Sequence, residues 1–277
     1  MTRRKFQELN LSNAYLFAAA MEDEGTCRIT LEMLLERRIE KVAVHVEHSM
    51  LYSQDYRSIR LDVYASDPTG SSYNMEMQSE NEGNLPKRSR YHQAEMDVLS
   101  LKPGEDFNAL GPNYVIFICC FDPFGKGLYR YTFTNKCTET GDELGDGTTK
   151  IFLSTKGKNP EDVPEVLVRF LRYLENSTDE CVGNQDDAVS KIHSRVVTIK
   201  QDRSWESRYM KFEELMQKEY QNGIQQGIQQ GIQQGIQQAE TRMQRLIQCM
   251  QEAGEQNLLV RLSETDFLEE MYQKYNI

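Results

Sequence analysis

Two acidic residues and a glutamine lie on two short strand-like segments. Asp62 falls in the alternating segment 61–66, Glu76 and Gln78 fall in the alternating segment 73–78, and an Asp-Pro-Thr-Gly turn sequence lies between them. Successive side chains of a strand point to opposite faces, so Glu76 and Gln78 are expected to share a face. Asp62 joins them if position 62 pairs with position 76, because a shift of one residue would turn it to the other face.

Two carboxylates on one face of a hairpin can form a site for a divalent cation. They repel each other, which pushes the pKa of one towards protonation. A divalent cation bound to both removes that repulsion, and hard oxygen ligands suit Mg²⁺ or Mn²⁺. A solvated outer strand face would carry the same residue types without any metal. The spacing alone therefore leaves both interpretations open.

The segments before the hairpin indicate two helices and a strand. Apolar spacing predicts helices over residues 12–21 and 26–37, and the alternation of residues 41–46 predicts a strand. Glu32 lies among the apolar residues of the second helix. A glutamate in that position usually lies at the boundary of the core with its carboxylate in water.

A basic cluster follows the hairpin. Pro86 is expected to begin a helix, as proline does at a first helical position, and Lys87, Arg88 and Arg90 fall in its first turns. These cations could contact phosphate oxygens and position a DNA strand, or simply form a solvated basic face. Tyr91 and Met96 of the same helix are expected to pack in the core. The net charge of −11 argues against tight non-specific DNA binding by the whole chain, so any contact with phosphates would need a local basic patch of this kind.

Later segments complete the predicted fold. Strands are expected at 114–121, 128–134 and 150–154, and a strongly amphipathic helix at 161–175. Helices before and after a group of strands favour an α/β domain with a mixed central sheet flanked by helices. We therefore predict such a domain over residues 1–175 and a mostly helical C-terminal region over residues 176–277.

The C-terminal region contains a tandem repeat, GIQQ, at residues 223–238. Each glycine costs a helix about 1 kcal/mol relative to alanine, so four glycines cost roughly 4 kcal/mol. This segment is not expected to be stable as a lone helix: it should either fray or dock its isoleucines on a partner. We predict a flexible helical linker or a self-association segment, with a homo-oligomer formed through the C-terminal helices.

The residues also carry a family resemblance. An Asp, a Glu-x-Gln on a hairpin and an upstream helical Glu resemble the PD-(D/E)XK nuclease superfamily. Six stretches resemble one branch of it, the recombination-promoting nuclease/transposase family of bacteria. These stretches are LSNAYLFAAAMEDE, CRITLEMLLERRI, RLDVYASDPTGSSYNMEMQ, LPKRSRYHQAEMD, YVIFICCFDPFGKGLYRYTF and GDGTTKIFLSTKG. Two positions depart from the family pattern, with Ala14 where an Asp is usual and Gln78 where most superfamily members have Lys.

The resemblance implies a restriction-endonuclease-like core and an Mg²⁺-dependent DNA endonuclease, with Mn²⁺ as an alternative ion. It implies that Asp62 and Glu76 hold the metal, that Gln78 takes part in catalysis, and that Glu32 supplies the acidic residue of the first helix, with Glu36 as a substitute. A competing hypothesis is a non-catalytic scaffold or DNA-binding remnant that self-associates through its C-terminal helices. Ala14, Gln78 and the acidic net charge favour that alternative.

Composition argues against a membrane protein, a secreted protein and a zinc protein. No apolar run approaches the roughly 20 residues that a membrane span needs, and the charged N-terminal segment lacks the apolar core of a secretory signal. The six cysteines form no Cys-x-x-Cys pair and no Cys/His cluster, which argues against zinc. We expect a cytoplasmic protein without a membrane partner.

Overall fold

A computed structural model describes residues 5–45, 63–182 and 187–277 of the 277-residue chain. Asp62 lies outside the described residues. The chain divides into two compact units, Met1–Met210 and Lys211–Ile277. Within the described ranges, no helix is long and apolar enough to cross a membrane.

The starts of the first two helices are capped by side chains. Asn13 accepts a hydrogen bond from the backbone N–H of Leu16, and Asp23 accepts one from Thr26. The described α-helices are α1 (Ala14–Met21), α2 (Glu24–Leu35), α3 (Leu85–Ser100), α4 (Glu165–Glu175), α5 (Asp179–Val182), α6 (Ala188–Gln201), α7 (Arg203–Glu252) and α8 (Thr265–Tyr275). Short 3-10 helices occupy Phe6–Glu8, Phe107–Ala109, Pro160–Asp162 and Gln256–Ser263.

The described strands form one six-stranded sheet in the order β1-β2-β3-β4-β6-β5. The strands are β1 (Ala43–Val44), β2 (Val63–Ser66), β3 (Ser72–Gln78), β4 (Asn113–Cys119), β5 (Arg130–Phe133) and β6 (Thr148–Ser154). The pairs β3–β4 and β4–β6 are parallel, while the pairs β1–β2, β2–β3 and β5–β6 are antiparallel. The sheet is therefore mixed, as predicted.

Helices cover both faces of this sheet. On one face Val115, Phe117 and Phe152 pack with Leu85 and Met96 of α3. On the other face α1 contacts β3, and α1 also contacts α2 and α6. The sheet is thus enclosed between α3 and a helical layer, which confirms the predicted α/β class with a mixed central sheet flanked by helices. Because α6 contacts α1, α2 and α4, it belongs to the first compact unit.

The turn between β2 and β3 is organised by Asp67. Its carboxylate accepts hydrogen bonds from the backbone N–H groups of Thr69 (2.8 Å) and Ser71 (3.1 Å) and from the hydroxyl of Tyr73 (2.6 Å). Burial raises the pKa of Asp67, but these hydrogen bonds outweigh burial and hold the pKa below its usual range. Asp67 therefore fixes the hairpin that carries Glu76.

Replacing Asp67 by asparagine should destabilise the protein by about 1–3 kcal/mol at pH 7, because the amide is a weaker acceptor and places its NH₂ among donors. The folded pKa lies below the unfolded value of about 3.9, so this stabilisation is present above the unfolded pKa and is lost as pH falls through the folded pKa. The free energy of unfolding in urea should therefore differ between wild type and Asp67→Asn by an amount that is constant above about pH 5 and shrinks below about pH 4. Asp142→Asn, at an exposed position, is the control. A difference unchanged down to pH 3 would contradict the role of the charge.

The second compact unit has its own small core. Leu246 and Met250 of α7 pack against Phe267 and Met271 of α8. The GIQQ repeats at 223–238 are helical throughout as part of α7, so the structure does not show fraying, the first of the two predicted alternatives. Their four isoleucines are nevertheless 46–58% exposed, at Ile224, Ile228, Ile232 and Ile236.

Candidate active site

Strand β3 places Glu76 and Gln78 on the sheet face that α3 covers. The Gln78 Nε2 group donates a hydrogen bond of 2.7 Å to Glu76 Oε1, so the two side chains share a face as predicted. Both are buried, with 5% of Glu76 and 8% of Gln78 exposed. A carboxylate withdrawn from water in this way needs compensating partners.

Helix α3 supplies those partners from two positions one turn apart. The guanidinium of Arg88 forms an ion pair and hydrogen bond with Glu76 Oε1, and it also lies 3.7 Å from Glu82. One turn later, His92 Nε2 lies 3.3 Å from Glu76 Oε2, and its Nδ1 lies 3.4 Å from Glu95 Oε2. The i, i+4 spacing of Arg88 and His92 is what points both towards the sheet.

From the sequence, Arg88 is predicted to contact phosphate, and His92 is not predicted to belong to the site. The spacing of Arg88 and His92 just after the hairpin was the available signal. Only the packing of α3 on the sheet shows that both reach Glu76. A buried glutamate paired with a guanidinium avoids most of the penalty of an unpaired charge.

Glu76 offers one oxygen donor to a divalent cation. Glu76 Oε2 accepts no well-aligned hydrogen bond from any described residue, although His92 is near it. An anionic oxygen with unused lone pairs is the kind of donor that Mg²⁺ and Mn²⁺ prefer. Glu76 therefore fits as one metal ligand. The described ranges contain no group of three or more His, Cys, Asp and Glu residues arranged to hold a metal.

The predicted partner, Asp62, directly precedes Val63, where the description of β2 begins. Val63 pairs with Met75 in the antiparallel β2–β3 ladder. That pairing is the register in which Asp62 is expected opposite Glu76. The position of Asp62 in the site stays a prediction.

Glu32 lies in the last turns of α2. Its carboxylate pairs with Arg28 at 2.9 Å and accepts a hydrogen bond of 2.9 Å from the backbone N–H of Ile39. These contacts tie the end of α2 to the segment leading to β1. Glu36, the substitute, lies at the C-cap with φ of 52° and pairs with Arg130 at 2.5 Å. The catalytic role implied for Glu32 stays a prediction.

The remaining basic residues lie on the outside of α3. Lys87 and Arg90 are exposed, so their ammonium and guanidinium groups are available to an anionic partner.

Cys119, which pairs with Gln78 on the neighbouring strand, is buried. Burial, together with the nearby Cys120 and Glu76, raises the pKa of its thiol to about 12, so it is a neutral and unreactive group.

Comparison with known proteins gives one family. A family model described as PD-(D/E)XK nuclease family transposase matches residues 15–227. No curated protein and no solved structure matches. The matched range includes the hairpin, α3 and the whole described sheet.

Proposed function

Because the chain belongs to the PD-(D/E)XK nuclease family transposases, we propose that it is a metal-dependent DNA endonuclease that hydrolyses phosphodiester bonds, linked to recombination or transposition. Its mixed sheet with flanking helices is consistent with the restriction-endonuclease-like fold of such nucleases. The observation that carries the proposal is the buried carboxylate of Glu76, which faces α3 with one oxygen left without a well-aligned hydrogen bond among the described residues.

In this proposal Asp62 and Glu76 hold Mg²⁺, with Mn²⁺ as the alternative ion. When bound, the ion polarises the scissile phosphate and lowers the pKa of the attacking water. Gln78 holds the Glu76 carboxylate in place through the hydrogen bond from its Nε2 group. Glu32 braces α2 through Arg28 and Ile39, and it stays a candidate acidic residue of the site through the resemblance alone.

Gln78 brings no positive charge to the site, unlike the lysine usual at that position. Arg88 brings one, because a guanidinium is protonated at every relevant pH and can bind a phosphate through two parallel N–H groups. In the described structure this charge is directed at Glu76. We propose that Arg88 balances Glu76 in the resting site and binds a phosphate oxygen of DNA in the complex, while Lys87 and Arg90 contact flanking phosphates.

Metal binding separates this function from the competing one. Isothermal titration of the metal-free protein with MnCl₂, a probe for both ions, should show one binding event that Asp62→Ala removes. A second function, a DNA-binding or scaffold remnant, is favoured by the guanidinium that already neutralises Glu76. No binding by either protein would support the remnant, whereas identical binding curves for wild type and Asp62→Ala would show that Asp62 does not hold the ion.

We further propose that the GIQQ segment mediates self-association. Its isoleucines form a stripe along α7 that is 46–58% exposed, and residues 221–239 carry no charged side chain that would oppose contact with a second copy. Nothing lies within 4 Å of the position that a Cβ would take at Gly223, Gly227, Gly231 or Gly235. A second helix could therefore approach the backbone closely along this row.

Replacing Ile224, Ile228, Ile232 and Ile236 together by glutamine should convert the protein to a monomer, because the apolar area that drives association is removed. Sedimentation equilibrium over a hundredfold range of concentration is the measurement. Replacing Gln226, Gln230, Gln234 and Gln238 by asparagine is the matched control, since these positions lie about 200° further round the helix. An unchanged oligomeric state in the isoleucine variant would refute self-association through this stripe.

A further inference from the structure

The outer face of α3 carries an exposed aromatic ring beside two cations. Lys87, Arg90 and Tyr91 follow i, i+3 and i+4 spacing and so share one side of the helix. Tyr91 is 44% exposed, and the expectation that it packs in the core is wrong. The helix turns a different stripe to the sheet, made of Leu85, Ser89, His92, Gln93 and Met96.

This ring lies close to the candidate active site. The ring centroids of Tyr91 and His92 are 6.2 Å apart in an edge-on arrangement. His92 Nε2 in turn lies 3.3 Å from Glu76 Oε2. One imidazole ring therefore separates the exposed tyrosine from the carboxylate that we propose as a metal ligand.

The two cations on this face are available to bind phosphate groups. Neither Lys87 nor Arg90 forms an ion pair with another described residue, whereas Arg88 between them is directed at Glu76 and Glu82. Cations that bind successive phosphates, combined with an aromatic ring on which a base stacks, are the elements by which proteins bind single-stranded nucleic acid. In a duplex the faces of the bases are covered by their neighbours, and a side chain on a helix surface reaches only their edges.

We propose that Tyr91 stacks on an unpaired base next to the scissile phosphate, with Lys87 and Arg90 on the flanking phosphates. The substrate class of the site is then single-stranded or locally unpaired DNA. This inference rests on the proposed nuclease function and adds to it a residue that determines specificity. Tyr91 selects the structure of the DNA rather than its sequence, because every base has a face on which a ring can stack.

The test measures how tightly the protein binds a single-stranded oligonucleotide and a matched duplex, each containing 2-aminopurine. The measurement is made in EDTA, so that no strand is cut. Wild type should bind the single strand more tightly and quench its fluorescence. Tyr91→Leu keeps the apolar bulk but removes the ring, and it should weaken single-strand binding about tenfold with loss of quenching. Tyr91→Phe should retain both. Phe107→Ala, which removes a ring that is 79% exposed, is the control and should bind as wild type does.

Three results overturn the inference and are distinguishable from failure of the nuclease proposal. If wild type binds DNA but Tyr91→Leu binds the single strand equally well, Tyr91 does not stack on a base and the nuclease proposal stands. If Tyr91→Leu loses duplex and single-strand affinity by the same factor, the ring makes a general contact without selecting unpaired DNA. If wild type binds neither DNA, this inference fails, and the proposed function is then judged separately by plasmid nicking in Mg²⁺.

Discussion

Glu76→Gln is expected to lower the rate of metal-dependent DNA cleavage by at least about a hundredfold while leaving the fold intact. A metal ion supplies several kcal/mol of transition-state stabilisation, and each 1.36 kcal/mol corresponds to a factor of ten in rate. The amide has nearly the same shape as the carboxylate, but it lacks the negative charge that would hold the cation. The initial rate of plasmid nicking in Mg²⁺ is the measurement.

A matched control lies just beyond the strand. Glu80 is exposed in the loop after β3, and Glu80→Gln changes the net charge of the protein by the same amount. It should cut as wild type does. Circular dichroism and urea unfolding of both variants establish that they are folded. If Glu76→Gln retains more than about half of the wild-type rate, Glu76 does not hold the catalytic ion.

Arg88→Met is expected to have the largest effect on stability. It leaves the carboxylate of Glu76, which is 5% exposed, without its guanidinium partner. Removing one member of a buried ion pair costs about 3–5 kcal/mol, and the partial exposure of Arg88 reduces this to about 2–3 kcal/mol. Urea unfolding of the purified variant measures the loss.

A double-mutant cycle isolates the cause of that loss. In the Glu76→Gln background there is no buried charge to compensate, so Arg88→Met should cost at least about 1 kcal/mol less than in wild type. Lys87→Met, which removes an exposed cation one residue away, should change stability by less than about 0.5 kcal/mol. Equal losses from Arg88→Met in the two backgrounds would show that Arg88 acts through packing and not through Glu76.

The sheet face of the site could be predicted from the sequence because the signal is local. Strict alternation along residues 73–78 assigns Glu76 and Gln78 to one face, and the hydrogen bond between them confirms it. The mixed sheet was also predictable, since nearly continuous apolar runs such as residues 114–121 indicate strands buried on both faces. These signals depend on two-residue periodicity and on burial, both of which can be read within one segment.

The role of α3 could not be predicted in the same way. Its basic residues were visible, but the choice of Arg88 over Lys87 and Arg90 as the partner of Glu76 depends on how the helix is rotated against the sheet. The buried stripe of α3 includes the polar residues Ser89, His92 and Gln93, so hydrophobic periodicity gives a poor estimate of that rotation. The same ambiguity placed Tyr91 in the core, because a tyrosine is compatible with either environment.

Intrinsic helix propensity alone does not predict the conformation of the GIQQ segment. Four glycines predict a weak helix, yet α7 runs through all of them. Intrinsic preferences of about 1 kcal/mol per glycine are overridden when flanking turns on both sides are strongly helical. Helix formation does not explain why the isoleucines are exposed, and sedimentation of the isoleucine variant tests whether a second copy covers them.

Metal-dependent cleavage is tested by nicking of supercoiled plasmid by the purified protein in Mg²⁺, compared with EDTA and with Asp62→Ala. We predict conversion to the nicked circle in Mg²⁺, none in EDTA and none by the variant. Failure of the folded wild-type protein to cut in either Mg²⁺ or Mn²⁺, or equal cutting by Asp62→Ala, would contradict the proposed metal-dependent nuclease.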